Sequence, residues 1–218
     1  MSFFPNIDHK PHRELEELIR KDCEKYNIHL LTVPQYYYLN EKEVKEYKEL
    51  FSNESLLIRS AADLFLVGRN HTILLDCKTT YRKNTGNISI ELSSYYWGLQ
   101  HNRDGVEFYY CYTDGNEIKI FAPRENPPDS IFIQPMWKGY PVIEKLFHKY
   151  ADTIKYFFKN HPLIIYTEHD TGGSRDPFIL INKKTLKTIF FNEYLKNNYQ
   201  KPLFDYLPIR VPYMEVKK

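Results

Sequence analysis

Three side chains suited to work on a phosphate sit close together in the chain: Asp63, Asp76 and Lys78, within the stretch SAADLFLVGRNHTILLDCKTT that runs from Ser60 to Thr80. Two carboxylates held side by side repel each other and are costly unless a cation lies between them. Hard oxygen donors of this kind, joined by the backbone carbonyl of Cys77, suit Mg²⁺, with Mn²⁺ as a substitute. A metal in that position polarises a phosphoryl oxygen and lowers the pKa of a bound water. Lys78 would hold or help deprotonate that water, or stabilise the charge that builds up in the transition state. The chemistry expected is phosphodiester hydrolysis. The plainer alternative is that Asp63 opens a strand and that Asp76 and Lys78 are a solvated strand end.

The elements that must position these groups are two short apolar strands, LFLV and TILL, joined by a turn at Gly68-Arg69-Asn70-His71. With Arg69-Asn70 at the tip, Gly68 faces His71 and Val67 faces Thr72. The same register carried back puts Asp63 opposite Asp76. Alternation then sets Lys78 on the side of Asp76, with Phe65, Val67 and Leu74 sharing that side. Leu64, Leu66, Ile73 and Leu75 take the other side, and Cys77 points away from the charges as a packing thiol. A slip of one residue would dismantle the cluster. A strand pair apolar on both faces belongs inside a sheet covered by helices.

On these residues the stretch resembles the PD-(D/E)xK nuclease superfamily: Asp63 on one strand, Asp76-Cys77-Lys78 closing the next, and Ala62 where the family name has proline. The resemblance implies a restriction-endonuclease-like α/β core, a mixed central β-sheet flanked by helices. It implies a Mg²⁺-dependent endonuclease on DNA, restriction- or homing-like or junction-resolving, that works as a homodimer. It also implies a glutamate on the first helix directed at the metal. The helix expected over 11–26 has an apolar stripe of Leu15, Leu18, Ile19, Cys23 and Tyr26. Glu14 flanks that stripe and is the first candidate; Asp22, within it, is the alternative. Glu14 and Glu16 at a helix N-terminus also have a purely structural explanation. The helix expected over 91–102 would bring Glu91, Ser94 and Gln100 near the site.

The rest of the chain bounds the reading. It has 218 residues, 42% hydrophobic and 27% charged, as expected of a globular protein. Cys23, Cys77 and Cys111 are three cysteines without CxxC spacing, which points to reduced thiols in a cytoplasmic setting and away from a disulfide framework or a zinc site. No apolar run approaches the ~18 residues that span a membrane. The net charge of +2 is unevenly spread: residues 140–218 carry +5 and residues 1–139 carry −3. An acidic catalytic half followed by a basic half suits a metal site with a phosphate-contacting surface, although chance produces such splits too. Candidate contacts to nucleic acid are Arg82 and Lys83, in the loop after Lys78, and Lys183, Lys184 and Lys187, on the outer face of a helix expected over 183–199. The domain organisation expected is a nuclease core over 1–134 and a smaller C-terminal α/β extension over 135–218, with PRENPPD at 123–129 as a linker. Two other readings stay open: a non-catalytic nucleic-acid-binding or interaction module on the same fold, and an RNase using the same site, since nothing here reports on a 2′-hydroxyl.

Overall fold

The structure is a computed structural model and describes residues 10–32, 62–68, 71–78, 86–115, 117–133, 141–167 and 177–199. Arg82 and Lys83 lie outside the described residues. The chain is mixed α/β, with a mixed sheet flanked by helices.

Helix α1 (Lys10–Lys25) forms over the expected stretch, but Leu18 of the expected stripe is exposed. Leu15, Ile19 and Cys23 recur every four residues and are buried. The helix stops where Asn27 takes a left-handed conformation (φ 53°) and the Ile28 N–H bonds back to the Cys23 carbonyl at 3.1 Å. The chain then enters strand β1 (His29–Thr32). Strands β2 (Leu64–Val67) and β3 (Thr72–Cys77) follow as the expected antiparallel pair. Their register is Leu64↔Leu75 through Val67↔Thr72, and the Gly68 N–H donates to the His71 carbonyl at 2.8 Å.

Strand β4 (Asn87–Glu91) leads directly into helix α2 (Leu92–Arg103), and strands β5 (Phe108–Asp114) and β6 (Glu117–Phe121) form a hairpin. β5 lies parallel to β3, a pairing that needs a long crossover, and α2 lies on that crossover. Then come β7 (Ser130–Phe132), α3 (Pro141–Phe157), β8 (Ile164–Tyr166), β9 (Phe178–Asn182), β10 (Ile189–Phe190) and α4 (Phe191–Tyr199).

Two sheets result: a six-stranded one in the order β1-β2-β3-β5-β6-β10, and a four-stranded one in the order β4-β9-β7-β8. The six-stranded sheet is buried on both faces. Leu64, Leu66, Ile73 and Leu75 pack with Leu15 and Ile19 of α1 and with Phe191 and Leu195 of α4. On the opposite face Phe108, Tyr110 and Phe121 join Leu92, Tyr95 and Leu99 of α2, and the same core takes in Phe147, Tyr150 and Ile154 of α3.

The expected boundary near residue 134 falls between β7 and α3. Segments on its two sides share both sheets, since β4 pairs with β9 and β6 with β10. The segment expected to be a linker is a packed element. Residues 123–125 form a 3₁₀ turn with Pro123 buried, and the Tyr95 hydroxyl reaches the carbonyls of Pro123 (3.0 Å) and Asn126 (2.8 Å). The expected helix over 183–199 starts only at Phe191. Asn182 caps a turn there: its side-chain oxygen accepts the Lys184 N–H at 2.9 Å, and its carbonyl accepts the Thr185 hydroxyl at 2.9 Å. Buried Asn126 then fixes Lys187 in an extended path, accepting its N–H at 2.6 Å and donating to its carbonyl at 3.2 Å. Ile189 and Phe190 add a short strand to the edge of β6 instead of continuing a helix.

Candidate functional site

The site is assembled at the carboxyl end of β3. The β2–β3 ladder, extended one step beyond Leu64↔Leu75, brings Asp63 opposite Asp76, as the turn predicts. Asp63 accepts the Cys77 backbone N–H on its Oδ2 at 2.7 Å, which ties the start of one strand to the end of the other. Asp76 is 4% exposed, and each of its oxygens has a partner. Oδ1 lies 3.0 Å from the Lys78 ammonium, and Oδ2 accepts the Ser94 hydroxyl at 2.9 Å. Lys78 also meets Glu91 Oε2 at 2.8 Å and lies 5.7 Å from the centre of the Tyr110 ring.

Helix α2 serves this arrangement through its small residues. Ser94 and Gly98, one turn apart, are both buried. Ser94 supplies the hydroxyl to Asp76 and stands 3.2 Å from the Tyr110 hydroxyl. Gly98 leaves room for β5: a β-carbon there would meet Phe108 at 2.8 Å and the Tyr110 hydroxyl at 3.1 Å. Tyr110 is paired with Asp76 across the parallel β3–β5 ladder, so it forms the floor beneath the charges.

The electrostatics fit a site built around like charges. Burial, and then the negative charge of Asp76, push the Asp63 carboxyl from 3.8 up to about 7; Lys78, His12 and the Cys77 N–H pull the other way and only partly offset this. Burial works against the charge of Lys78, but Asp76 and Glu91 outweigh it and hold the ammonium well above the ordinary lysine range. Lys78 is therefore a fixed cationic donor.

Of the residues named from sequence, Asp63, Asp76 and Lys78 are brought together, and Glu91 and Ser94 join them. Cys77 turns its side chain into the opposite core, where the Cys111 thiol lies 3.4 Å away, so only its backbone belongs to the site. Glu14 is exposed on α1. Asp22 lies more than two turns along the helix from His12 and pairs with Lys25 at 2.6 Å. The α1 residue that approaches the site is His12, which sequence reasoning missed. Its Nε2 is 3.1 Å from Glu16 Oε1 and 3.9 Å from Asp63 Oδ2. The hydrogen bond to Glu16 raises its pKa, burial lowers it, and the charge of Asp63 adds to the rise. The His12–Glu16 spacing of four residues was the available signal. Tyr110 carried none until β3 and β5 were known to be neighbours.

Lys184 and Lys187 are exposed but lie on the turn and extended segment before β10, and the Lys183 ammonium lies 5.6 Å from the centre of the Tyr112 ring. They do not form one helical face.

Among the described residues, no three His, Cys, Asp or Glu side chains stand together as a ready metal cage. The two opposed carboxylates are oxygen donors of the chemical kind that suits a hard ion such as Mg²⁺, which keeps several waters and takes part of its shell from substrate phosphate. No helix among the described residues is long and apolar enough to cross a membrane. No family model, curated protein or solved structure matches the chain.

Proposed function

We propose that this chain is a metal-dependent phosphodiesterase that cleaves nucleic acid, with DNA as the expected substrate, on a restriction-endonuclease-like core. The observation that carries the reading is the β2–β3 register, which sets Asp63 against Asp76 with Lys78 bound to Asp76. The order of a strand ending in DxK, a strand ending at Glu91 and then a helix bearing Ser94 supports it further.

In this reading Asp63, Asp76 and the Cys77 carbonyl hold Mg²⁺, and Mn²⁺ substitutes. The ion, when bound, polarises the phosphoryl oxygen and acidifies an attacking water. The chain's own groups supply the rest. Lys78 stays an ammonium, so it donates a hydrogen bond to the incoming water or to a phosphoryl oxygen and stabilises the charge that develops there. Ser94 fixes the rotation of the Asp76 carboxylate, and Glu91 is a second carboxylate partner that holds Lys78. His12, beside Asp63, would add positive charge there when it is protonated. Cutting both strands of a duplex would need two such sites, which is the reason to propose a homodimer.

The test is cleavage of plasmid, linear duplex, four-way-junction and single-stranded DNA, and of RNA, each with Mg²⁺, Mn²⁺ or EDTA, by wild type, Asp76→Asn and Lys78→Ala. Cleavage that needs metal and is lost in both variants, with substrate binding kept, supports the proposal. Metal-independent binding without cleavage of any substrate would replace it with a binding module on the same fold.

A further inference from the structure

Two lysines from distant parts of the chain lie over successive rings of one strand. Tyr110 and Tyr112 are two residues apart on β5, so their side chains share a face, and both belong to the core on that face. Their backbone positions are roughly 7 Å apart along the strand. The Lys78 ammonium lies 5.7 Å from the centre of the Tyr110 ring, and the Lys183 ammonium lies 5.6 Å from the centre of the Tyr112 ring. The Lys78 N–H donates to the carbonyl of Cys111, between the two tyrosines, at 2.8 Å. Lys183 thus stands one step beyond the candidate catalytic lysine on the same face of β5. It reaches that place from the other sheet. Asn182, which ends β9, pairs with Asn87, and the Lys183 N–H donates to the Gly86 carbonyl at 2.8 Å. The backbone is fixed there, and the half-buried side chain crosses to Tyr112.

The two ammoniums differ in what neutralises them. Lys78 is held by Asp76 at 3.0 Å and by Glu91 at 2.8 Å. Among the described residues, no carboxylate pairs with Lys183 and no acceptor takes any of its three N–H donors; the Tyr112 ring is its side chain's partner. Asp114 feels its charge, but that carboxylate is bound to Lys119 at 2.7 Å. An ammonium resting on a ring keeps its N–H donors free. Held in place, half out of water and without a counter-charge, it is suited to a charge-assisted hydrogen bond from an anion.

We propose that Lys183 binds the phosphate next to the scissile one, so that the candidate site grips its nucleic-acid strand at two consecutive phosphates. The inference rests on the phosphodiesterase reading for its location. The spacing of the two tyrosines is close to that of neighbouring phosphates along one strand, and a strand with its scissile phosphate at Lys78 brings the next one toward Lys183. Lys183 is a positioning residue: it touches a phosphate that does not react, so it contributes equally to the bound substrate and to the transition state. A phosphate contact carries no sequence information, so Lys183 sets affinity and register and leaves base preference untouched.

The test uses the full chain in two assays: cleavage kinetics on the substrate that wild type cuts best, and binding of fluorescent single-stranded and duplex DNA in EDTA over a range of salt concentrations. Lys183→Ala raises KM about ten-fold with little change in kcat. It also lowers the slope of log affinity against log salt by about 0.9 on duplex or 0.7 on single strands, the signature of one lost phosphate contact. Lys183→Arg restores both, and Lys184→Ala, at the exposed neighbouring position, changes neither. Melting curves identify a variant that fails to fold; Lys183→Gln, which keeps most of the stem over Tyr112, then takes the place of alanine. A folded Lys183→Ala that matches wild type in KM and salt slope overturns the inference and leaves Lys183 as packing on Tyr112, as does a loss no larger than that of Lys184→Ala. Failure of the phosphodiesterase reading registers separately, as cleavage unaffected by Asp76→Asn or absent altogether, and the salt slope in EDTA then still decides the role of Lys183.

Discussion

Asp63→Asn should make the metal-free protein more stable at alkaline pH. A carboxyl whose pKa is 3.8 in the unfolded chain and about 7 in the folded one binds its proton more tightly when folded. Below the unfolded value both states are protonated and nothing is lost. Between the two values the unfolded chain ionises first, so stability falls as pH rises. Above about 7 both states are ionised and the whole cost is present. At about 1.4 kcal/mol for each tenfold change in proton affinity, the full cost comes to about 4 kcal/mol. The carboxyl is 25% exposed and sits beside Lys78 and His12, so we expect about 2–4 kcal/mol to be realised. Asparagine keeps an oxygen to accept the Cys77 N–H and has no charge to bury. For a chain of this length the gain corresponds to roughly 4–16 °C in melting temperature. The assay is urea or thermal unfolding of both proteins in EDTA at several pH values from 4 to 8. The variant should gain on wild type as pH rises from about 4 to 7, and the difference should shrink to a small fraction of its full size at the acid end. Taking the difference cancels the titration of groups that both proteins share. Adding Mg²⁺ at the alkaline end should then stabilise wild type and close part of the gap. A difference that is zero or independent of pH would refute the claim that burial and the Asp76 charge together hold the Asp63 carboxyl against ionisation.

Two further substitutions test how the scaffold supports the site. Gly98→Ala forces a β-carbon against Phe108 and Tyr110, so it should destabilise the fold by about 1–3 kcal/mol in urea unfolding and reduce cleavage further by displacing the residue beneath Lys78. Asn126→Ala removes three hydrogen bonds from a side chain that is 2% exposed, to Ala122 and to both backbone groups of Lys187. It should cost at least about 1–3 kcal/mol by denaturant unfolding; a cost near zero would mean that the 123–129 segment is a linker after all.

The reach of the sequence is clearest in the β2–β3 hairpin. Its turn residues and two apolar runs determined a register, and the register determined that Asp63 faces Asp76 and that Cys77 turns away. This worked because hairpin pairing is local: a short turn leaves few registers, and one-residue slips are penalised by the burial of Leu64, Leu66, Ile73 and Leu75. The helical stripe of α1 was legible for the same reason. Helix phase was enough to bury Leu15 and Ile19, yet it did not single out His12, since a histidine at the first turn gains meaning only from the strand end it meets.

The positions of Tyr110, Ser94 and Gly98 required the tertiary structure. They depend on β5 lying parallel to β3 with α2 across both, a contact between segments far apart in the chain that no local pattern encodes. The basic helix expected over 183–199 failed on the same ground. Its apolar spacing suited a helix, but bonds from Asn126, some sixty residues away, drew the backbone of Lys187 into an extended path. The expected linker at 123–129 misled for the converse reason: prolines and polar residues look mobile until a buried Tyr95 hydroxyl and a partner segment satisfy their backbone groups. The sequence alone thus determined the paired carboxylates and the lysine, because one hairpin contains them. What surrounds them, and the sheet that continues from Glu91, was decided by contacts between segments distant in the chain.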